Sequence, residues 1–198
     1  ADFWRVIEFD PSNHFNYLQL APILVQIGDV EGYRRLCTRM AAEFRDTKDI
    51  AIAERMTKAS LLLPIPDADK PTLNRWSEMA LREGRDHVYL PYYQFARGLL
   101  DYRNGASASA TDWMEKVLRN ESGKSVAGLR DAQALMVMAM AQFRMRQLGE
   151  SREALARGLK LFEKNLGKSG SGDLLGSWHD WLISQILIRE ARALIEGG

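Results

Sequence analysis

Proline and glycine fall along this chain at intervals of about one helix, and that spacing limits what it can fold into more than any other feature. Both residues break helices. Pro11, Pro64, Pro66 and Pro71, with Gly28, Gly105, Gly149 and the GKSGSG stretch from Gly167 to Gly172, cut the chain into segments of helical length. Within the segments apolar residues recur every three to four positions rather than every two. Val126, Leu129, Ala132, Leu135, Met136, Met138, Ala139, Met140 and Phe143 form a face wide enough for a helix buried on most sides. Leu174, Leu175, Trp178, Trp181, Leu182, Ile183, Ile186, Leu187, Ile188, Ala191, Leu194 and Ile195 do the same for the last segment. No two alternating β-branched runs are joined by a tight turn, as a hairpin would need. The pattern is all-α.

Caps place the helix ends. Ser12 or Asn13 caps a helix running towards Ile27, after which Gly28 and Asp29 turn the chain and Asp29 opens a second helix through about Phe44. Thr47 or Asp49 starts a third, ended by Pro64. Pro71 and Pro91 each suit the first turn of a helix, where the missing amide donor costs nothing, and the second of these runs to Asn104. Further helices are expected over 108–120, 127–147, 150–165 and 173–196. Pro22 lies inside the first helix and is expected to kink or divide it.

Composition closes off several classes. A chain of 198 residues, 46% apolar, buries a substantial core as one domain or one stack of repeats. Its 27 basic and 26 acidic residues give no whole-molecule field to hold nucleic acid or an anionic membrane, so neither is expected as a partner. The single cysteine, Cys37, excludes an intramolecular disulfide and an all-cysteine metal site, which makes a reducing cytoplasm the expected compartment. No apolar run approaches the ~20 residues that cross a bilayer. The opening ADFWRVIEFD lacks the basic-then-apolar order of a secretory leader.

Helices joined by short turns at a recurring interval point to a repeat. Gly28 and Gly105 are 77 residues apart, Gly149 follows 44 later, and the Pro64–Pro66 turn falls near the middle of the first gap. The unit is therefore about 36 to 44 residues, against 34 in a tetratricopeptide (TPR) repeat. In such a unit a small residue five after the turn glycine lets the two helices approach. Ala110 and Ala154 hold that offset from Gly105 and Gly149, and Gly98, seven before Gly105, holds the matching position in the first helix of its pair. YRNGASASATDWMEKVL and RQLGESREALARGLKLF resemble the turn and second helix of TPR units, whereas Tyr33 stands where alanine is expected.

Three segments carry a more specific resemblance: GDVEGYRRLCTRMAAEF (28–44), DIAIAERMTKASLLLP (49–64) and WHDWLISQILIREARALI (178–195). In this order they are similar to the TPR-like C-terminal region of large bacterial serine/threonine protein kinases. There a GD-x-x-x-YRR-x-C helix precedes an AERTAKACLLLP-like helix, and a tryptophan-rich WL…REAEALL helix closes the array. Met56, Thr57 and Ser60 depart from that pattern. The resemblance implies antiparallel helix pairs stacked in a right-handed TPR-like superhelix, an α-solenoid. The units would be 13–44, 48–84, 89–121 and 127–166, with a terminal helix over 173–196 and 1–11 as the end of a preceding repeat. It does not imply a kinase, because the chain has no G-x-G-x-x-G-x-V loop, no V-A-I-K-like lysine and no H-R-D loop, and Asp2-Phe3-Trp4 is not D-F-G.

Candidate chemistry is sparse. Gly123-Lys124-Ser125 and Gly167-Lys168-Ser169 end like a P-loop, but Leu118 and Phe162 stand where its first glycine belongs, so both read as interhelix turns. His14, His87 and His179 lie far apart, with no second ligand at metal spacing, and read as helix-end or interhelix residues; His179 and Asp180 suit a local hydrogen bond or pairing across helices, which does not make a general base. Cys37 shares an apolar face with Leu36 and Met40 and reads as a buried thiol despite Arg34, Arg35 and Arg39 nearby. Met114, Met136, Met138, Met140 and Met145 fit a core better than an adaptable groove. Glu115 and Glu121 read as solvated.

The first helix of each pair would line the concave side, which in this architecture binds peptides or a partner's helix. Mapped from the turns, Tyr92, Phe95, Leu99 and Tyr102 line one stretch, Phe143 and Arg146 the next, and Arg55 and Lys58 the one before. Aromatic residues beside basic ones suit an acidic or aromatic peptide. The expectation is a non-catalytic protein-interaction module of bacterial kinase signalling, with no cofactor or metal, whose terminal helix caps the array or pairs with a second copy. The alternative is an intramolecular regulatory or sensor domain, its groove holding a small ligand or a segment of its own protein. Whether the last helix closes the groove separates the two.

Overall fold

The structure, a computed structural model, describes residues 2–64, 70–119, 127–166 and 178–197. Ten helices and no strand occur among the described residues: α1 (Asp2–Phe9), α2 (His14–Gln26), α3 (Val30–Glu43), α4 (Ile50–Ser60), α5 (Lys70–Glu83), α6 (Leu90–Arg103), α7 (Ser107–Arg119), α8 (Ala127–Arg144), α9 (Leu148–Leu166) and α10 (Trp178–Ile195). No helix among them is long and apolar enough to cross a membrane. The two P-loop-like triplets, 123–125 and 167–169, lie outside the described residues.

The expected caps form. Asn13 Oδ1 accepts from the Phe15 amide (3.2 Å), Asp29 Oδ1 from Gly32 (2.8 Å), and Asp49 Oδ1 from both Ala51 (2.7 Å) and Ile52 (3.1 Å). Pro71 and Pro91 each stand second in their helices. Pro22 does not divide α2, which runs through it. Proline's fixed φ suits a helix, and burial of Leu18, Leu20, Ala21 and Leu24 around the ring offsets the one lost donor.

Three turns share one geometry. Gly28 (φ 76°), Gly105 (φ 82°) and Arg146 (φ 63°) are left-handed. After each, the next amide donates five residues back: Asp29 to the Leu24 carbonyl, Ala106 to Asp101, and Gln147 to Gln142. This is the Schellman closure of α2, α6 and α8. The third turn therefore centres on Arg146 and not on Gly149, which lies within α9. The interval from Gly105 is 41 residues rather than 44, and the close-approach position five after each turn holds Tyr33, Ala110 and Ser151, in place of Ala154. Ser151 Oγ donates to the Ala139 carbonyl (2.8 Å) and the Tyr33 hydroxyl to that of Ala59 (2.9 Å), so polar side chains here bond to the backbone of the facing helix. Seven residues before the turns stand Ala21, Gly98 and Ala139, all buried, and Thr57 lies 41 before Gly98.

Helices adjacent in the chain pack in pairs, α2 on α3, α4 on α5, α6 on α7 and α8 on α9. The first members also pack in series, α2 on α4, α4 on α6 and α6 on α8, while α1 packs on α2. The last helix leaves this order: α10 packs on α8 and α9 and also on α2. Met114, Met136, Met138 and Met140 are buried core, Met145 is half-buried, and Cys37 is buried.

Candidate functional site

The row formed by α2, α4, α6 and α8 is where the sequence places a binding surface, and α10 engages each of its members. Asp180 meets Lys58 of α4 and Gln133 of α8, Glu190 meets Arg103 of α6, and Arg189 meets Gln26 of α2. The first turn of α10 lies by Lys58 of α4 and Gln133 of α8, and its fourth by the ends of α2 and α6.

The first station is a cluster of charges inside apolar surroundings. Lys58 Nζ lies 3.2 Å from Glu54 Oε1 and 3.5 Å from Asp180 Oδ1. Lys58 and Glu54 are almost wholly buried, on a helix whose Ala53, Met56 and Ala59 are buried too. Tyr92 lies between two cations, its ring centroid 5.8 Å from Lys58 Nζ and 5.3 Å from Arg130 Cζ. Arg130 is also buried and pairs with Asp131 at 2.8 Å. Gln133 Nε2 donates to the Asp180 carbonyl (2.9 Å) and to Ser184 Oγ (3.1 Å), tying α8 to the first turn of α10.

Burial raises the Glu54 pKa above the usual carboxylate value, with Lys58 pulling the other way. For Lys58, burial alone favours the neutral amine, but Glu54 and then Asp180 outweigh it, and the ammonium is held above its ordinary range. Burial lowers His14 and His179, aided in each case by Arg55. His179 Nε2 is 3.7 Å from Asp180 Oδ2, beyond hydrogen-bond reach.

The second station closes the end of α4. Arg103 donates from Nε to the Leu61 carbonyl (2.8 Å) and from Nη2 to that of Leu62 (3.0 Å), and its fork meets Glu190, with Nη2 2.7 Å from Oε2. Opposite, the Tyr33 hydroxyl accepts from the Leu62 amide (3.0 Å) while donating to Ala59. One pair further on, Arg144 Nη1 donates to the Tyr102 carbonyl at the end of α6 (3.0 Å) and its guanidinium lies over the Tyr102 ring. Arg103 and Arg144 each stand two residues before a left-handed turn, and each reaches the carbonyl end of the preceding first helix.

The expected surface residues divide. Lys58 and Tyr92 belong to the buried cluster, and Arg55 joins its edge, bonded to His14 and stacked on Phe15 with its guanidinium 4.3 Å from the ring centroid. Phe95, Leu99 and Tyr102 are no more than 1% exposed and form core. Phe143 is half-buried against the core, and Arg146 is exposed in its turn, apart from the others. The last helix, expected to cap the array or pair with a second copy, has Ile183, Ile186, Leu187, Ile188, Ala191 and Ile195 buried within the chain.

Glu54, Arg103, Arg130, Gln133 and Glu190 carry the station geometry and escaped the sequence reading, while Asp180, considered there only as a neighbour of His179, pairs across helices with Lys58. A signal for one pair was present: Glu54 and Lys58 are four apart on a helix whose other residues, Arg55 apart, are apolar or small, which leaves little solvent side for them. Among the described residues no group of three histidine, cysteine or acidic side chains is placed to hold a metal ion. No protein-family model, curated protein or solved structure matches the chain.

Proposed function

We propose that the chain is a non-catalytic helical-repeat module, a TPR-like stack of antiparallel pairs in a right-handed superhelix, whose row of first helices holds a helix of its own protein. The repeat reading is supported by the shared Schellman turns, the small residues seven before them, and the arginines reaching back from α6 and α8. One observation carries the function: α10 lies on the row, with its acids on Lys58 and Arg103. That favours the intramolecular alternative over an open peptide groove. Cations buried in the row meet acids on the bound helix, so the row selects an apolar helix with acids at matching positions. In this reading protein partners meet the outer faces of the helices. A place beside a bacterial serine/threonine kinase, in the cytoplasm, rests on the segments 28–44, 49–64 and 178–195.

The test is affinity capture from a bacterial lysate with wild type and Glu190→Arg, paired with hydrogen exchange across α10. The reading expects Glu190→Arg to lower α10 protection and to add helix-bearing proteins to those captured, while outer-face partners persist. Unchanged protection of α10 together with an identical capture set refutes it.

A further inference from the structure

We infer that the two imidazoles beside Arg55, His14 on α2 and His179 on α10, make the seat of α10 acid-sensitive, so that protonating them loosens its first turns from α2 and α4. The inference does not depend on the repeat reading. Arg55 Nη1 lies 2.5 Å from His14 Nε2. A guanidinium has only donors, so Nε2 accepts and the proton of this imidazole is on Nδ1. A proton added at Nε2 removes the acceptor and sets a second cation against Arg55. Since Arg55 is also stacked on Phe15, it cannot withdraw without giving up that ring.

His179 meets the field of the same guanidinium from another helix. It is about 9% exposed, its Nδ1 is buried without a hydrogen-bond partner, and Arg55 and Lys58 both disfavour its charge. Among the described residues, other groups face this seat from each packed element. Helix α4 contributes Glu54, Arg55 and Lys58, with Asp49 at its cap acting on His14; α6 contributes Tyr92 and Tyr93; α8 contributes Arg130, Asp131 and the neutral Gln133. Among the described residues Asp180 of α10 favours a charged His179, and α9 adds the Phe162 ring, stacked on Trp181. Asp180 is already shared with Lys58. Charging both imidazoles therefore adds two cations to Arg55 and Lys58, with no new acid among the described residues.

The sign follows from linkage. Both histidines are lowered from 6.5 in the folded state, so below 6.5 the unfolded chain binds more protons. Stability from this pair is complete above 6.5 and is lost as pH falls towards the folded values. Glu54 and Asp131, both raised by burial, act the other way at lower pH, so the effect is read as a difference between variants.

The experiment is an NMR titration of the histidine Hε1 protons in the full chain from pH 8 to pH 4.5. Signals are assigned with His14→Gln and His179→Gln, glutamine keeping an acceptor for Arg55. Hydrogen exchange of the Trp181–Leu187 amides, corrected for intrinsic rates, is measured at pH 7 and pH 5. Both imidazoles are expected to titrate below 6.5, and α10 protection to fall roughly tenfold in wild type but less than about threefold in the double variant. A midpoint at or above 6.5 for either histidine overturns the inference, as does protection that is constant with pH or falls equally in the double variant. If the double variant does not fold, the wild-type titration and the wild-type exchange decide.

Discussion

Gly98 sits where α6 crosses α7, and its replacement by alanine tests the position of that crossing. A Cβ built there would stand 2.3 Å from Met114 Cε, 2.9 Å from Trp113 Cβ and 3.4 Å from the Ala110 carbonyl oxygen. Met114 can swing its terminal methyl away, but Trp113 Cβ is fixed to the α7 backbone. Carbon atoms in contact prefer about 3.5 to 4.0 Å, so α6 and α7 must separate by at least ~0.6 Å. Such overpacking typically costs about 1 to 3 kcal/mol, and the helix propensity gained on losing a glycine returns up to about 1. Gly149 supplies the control, since it lies in α9 with nothing within 4 Å of its Cβ position. Gly149→Ala collects the propensity gain without the clash. The two variants should therefore differ by about 1 to 3 kcal/mol, or very roughly 2 to 10 °C in Tm for a chain of this size. Circular dichroism at 222 nm during heating reads the difference. If Gly98→Ala melts at or above Gly149→Ala, the small-residue crossing is misplaced and the repeat register fails with it.

Lys58→Ala leaves Glu54 buried without its nearest cation and should cost about 3 to 5 kcal/mol by urea denaturation, with at least half recovered when Glu54→Gln is added. A second change that recovers nothing would show that Lys58 acts through packing alone. Tyr33→Phe removes both the donor to Ala59 and the acceptor for the Leu62 amide, with an expected loss of about 1 to 3 kcal/mol in the same assay. Arg146→Gly relieves a left-handed non-glycine turn and should stabilise by roughly 1 kcal/mol, visible as a rise in Tm; a fall would mean that the Arg146 side chain holds the turn.

Helix positions were legible because local chemistry sets them: Asn13, Asp29 and Asp49 cap α2, α3 and α4, and Pro71 and Pro91 lie in first turns. The third turn was misplaced for a physical reason. Glycine is the usual left-handed residue, so Gly149 drew the register, whereas the chain makes the turn at Arg146 and bears the strain of a Cβ there. With the register shifted by three, Ser151 takes the close-approach position, and its hydroxyl bonds to the Ala139 carbonyl in a way no composition rule anticipates. The station residues were hidden more deeply. Arg103 and Glu190 are 87 apart in sequence, and each alone reads as a solvated charge near a helix end. Long-range pairing of this kind becomes visible only once the partner helix is placed.

For α10 the placement itself was within reach of the sequence. At 100° per residue, buried His179, Ile183, Ser184, Ile186, Leu187, Ile188, Ala191 and Ile195 spread over an arc of about 200°. A helix lying on one surface needs an apolar stripe of only ~100°. An arc twice that wide requires walls on two sides rather than one. Arg189, Arg192, Ala193 and Glu196 mark the narrow side left to solvent. The two walls are α8 and α2, the last and first helices of the row, which is why the segment farthest along the chain returns to its beginning. The acids at 180 and 190 then point at whichever cations the row carries, and the buried Lys58 and Arg103 are the groups that meet them.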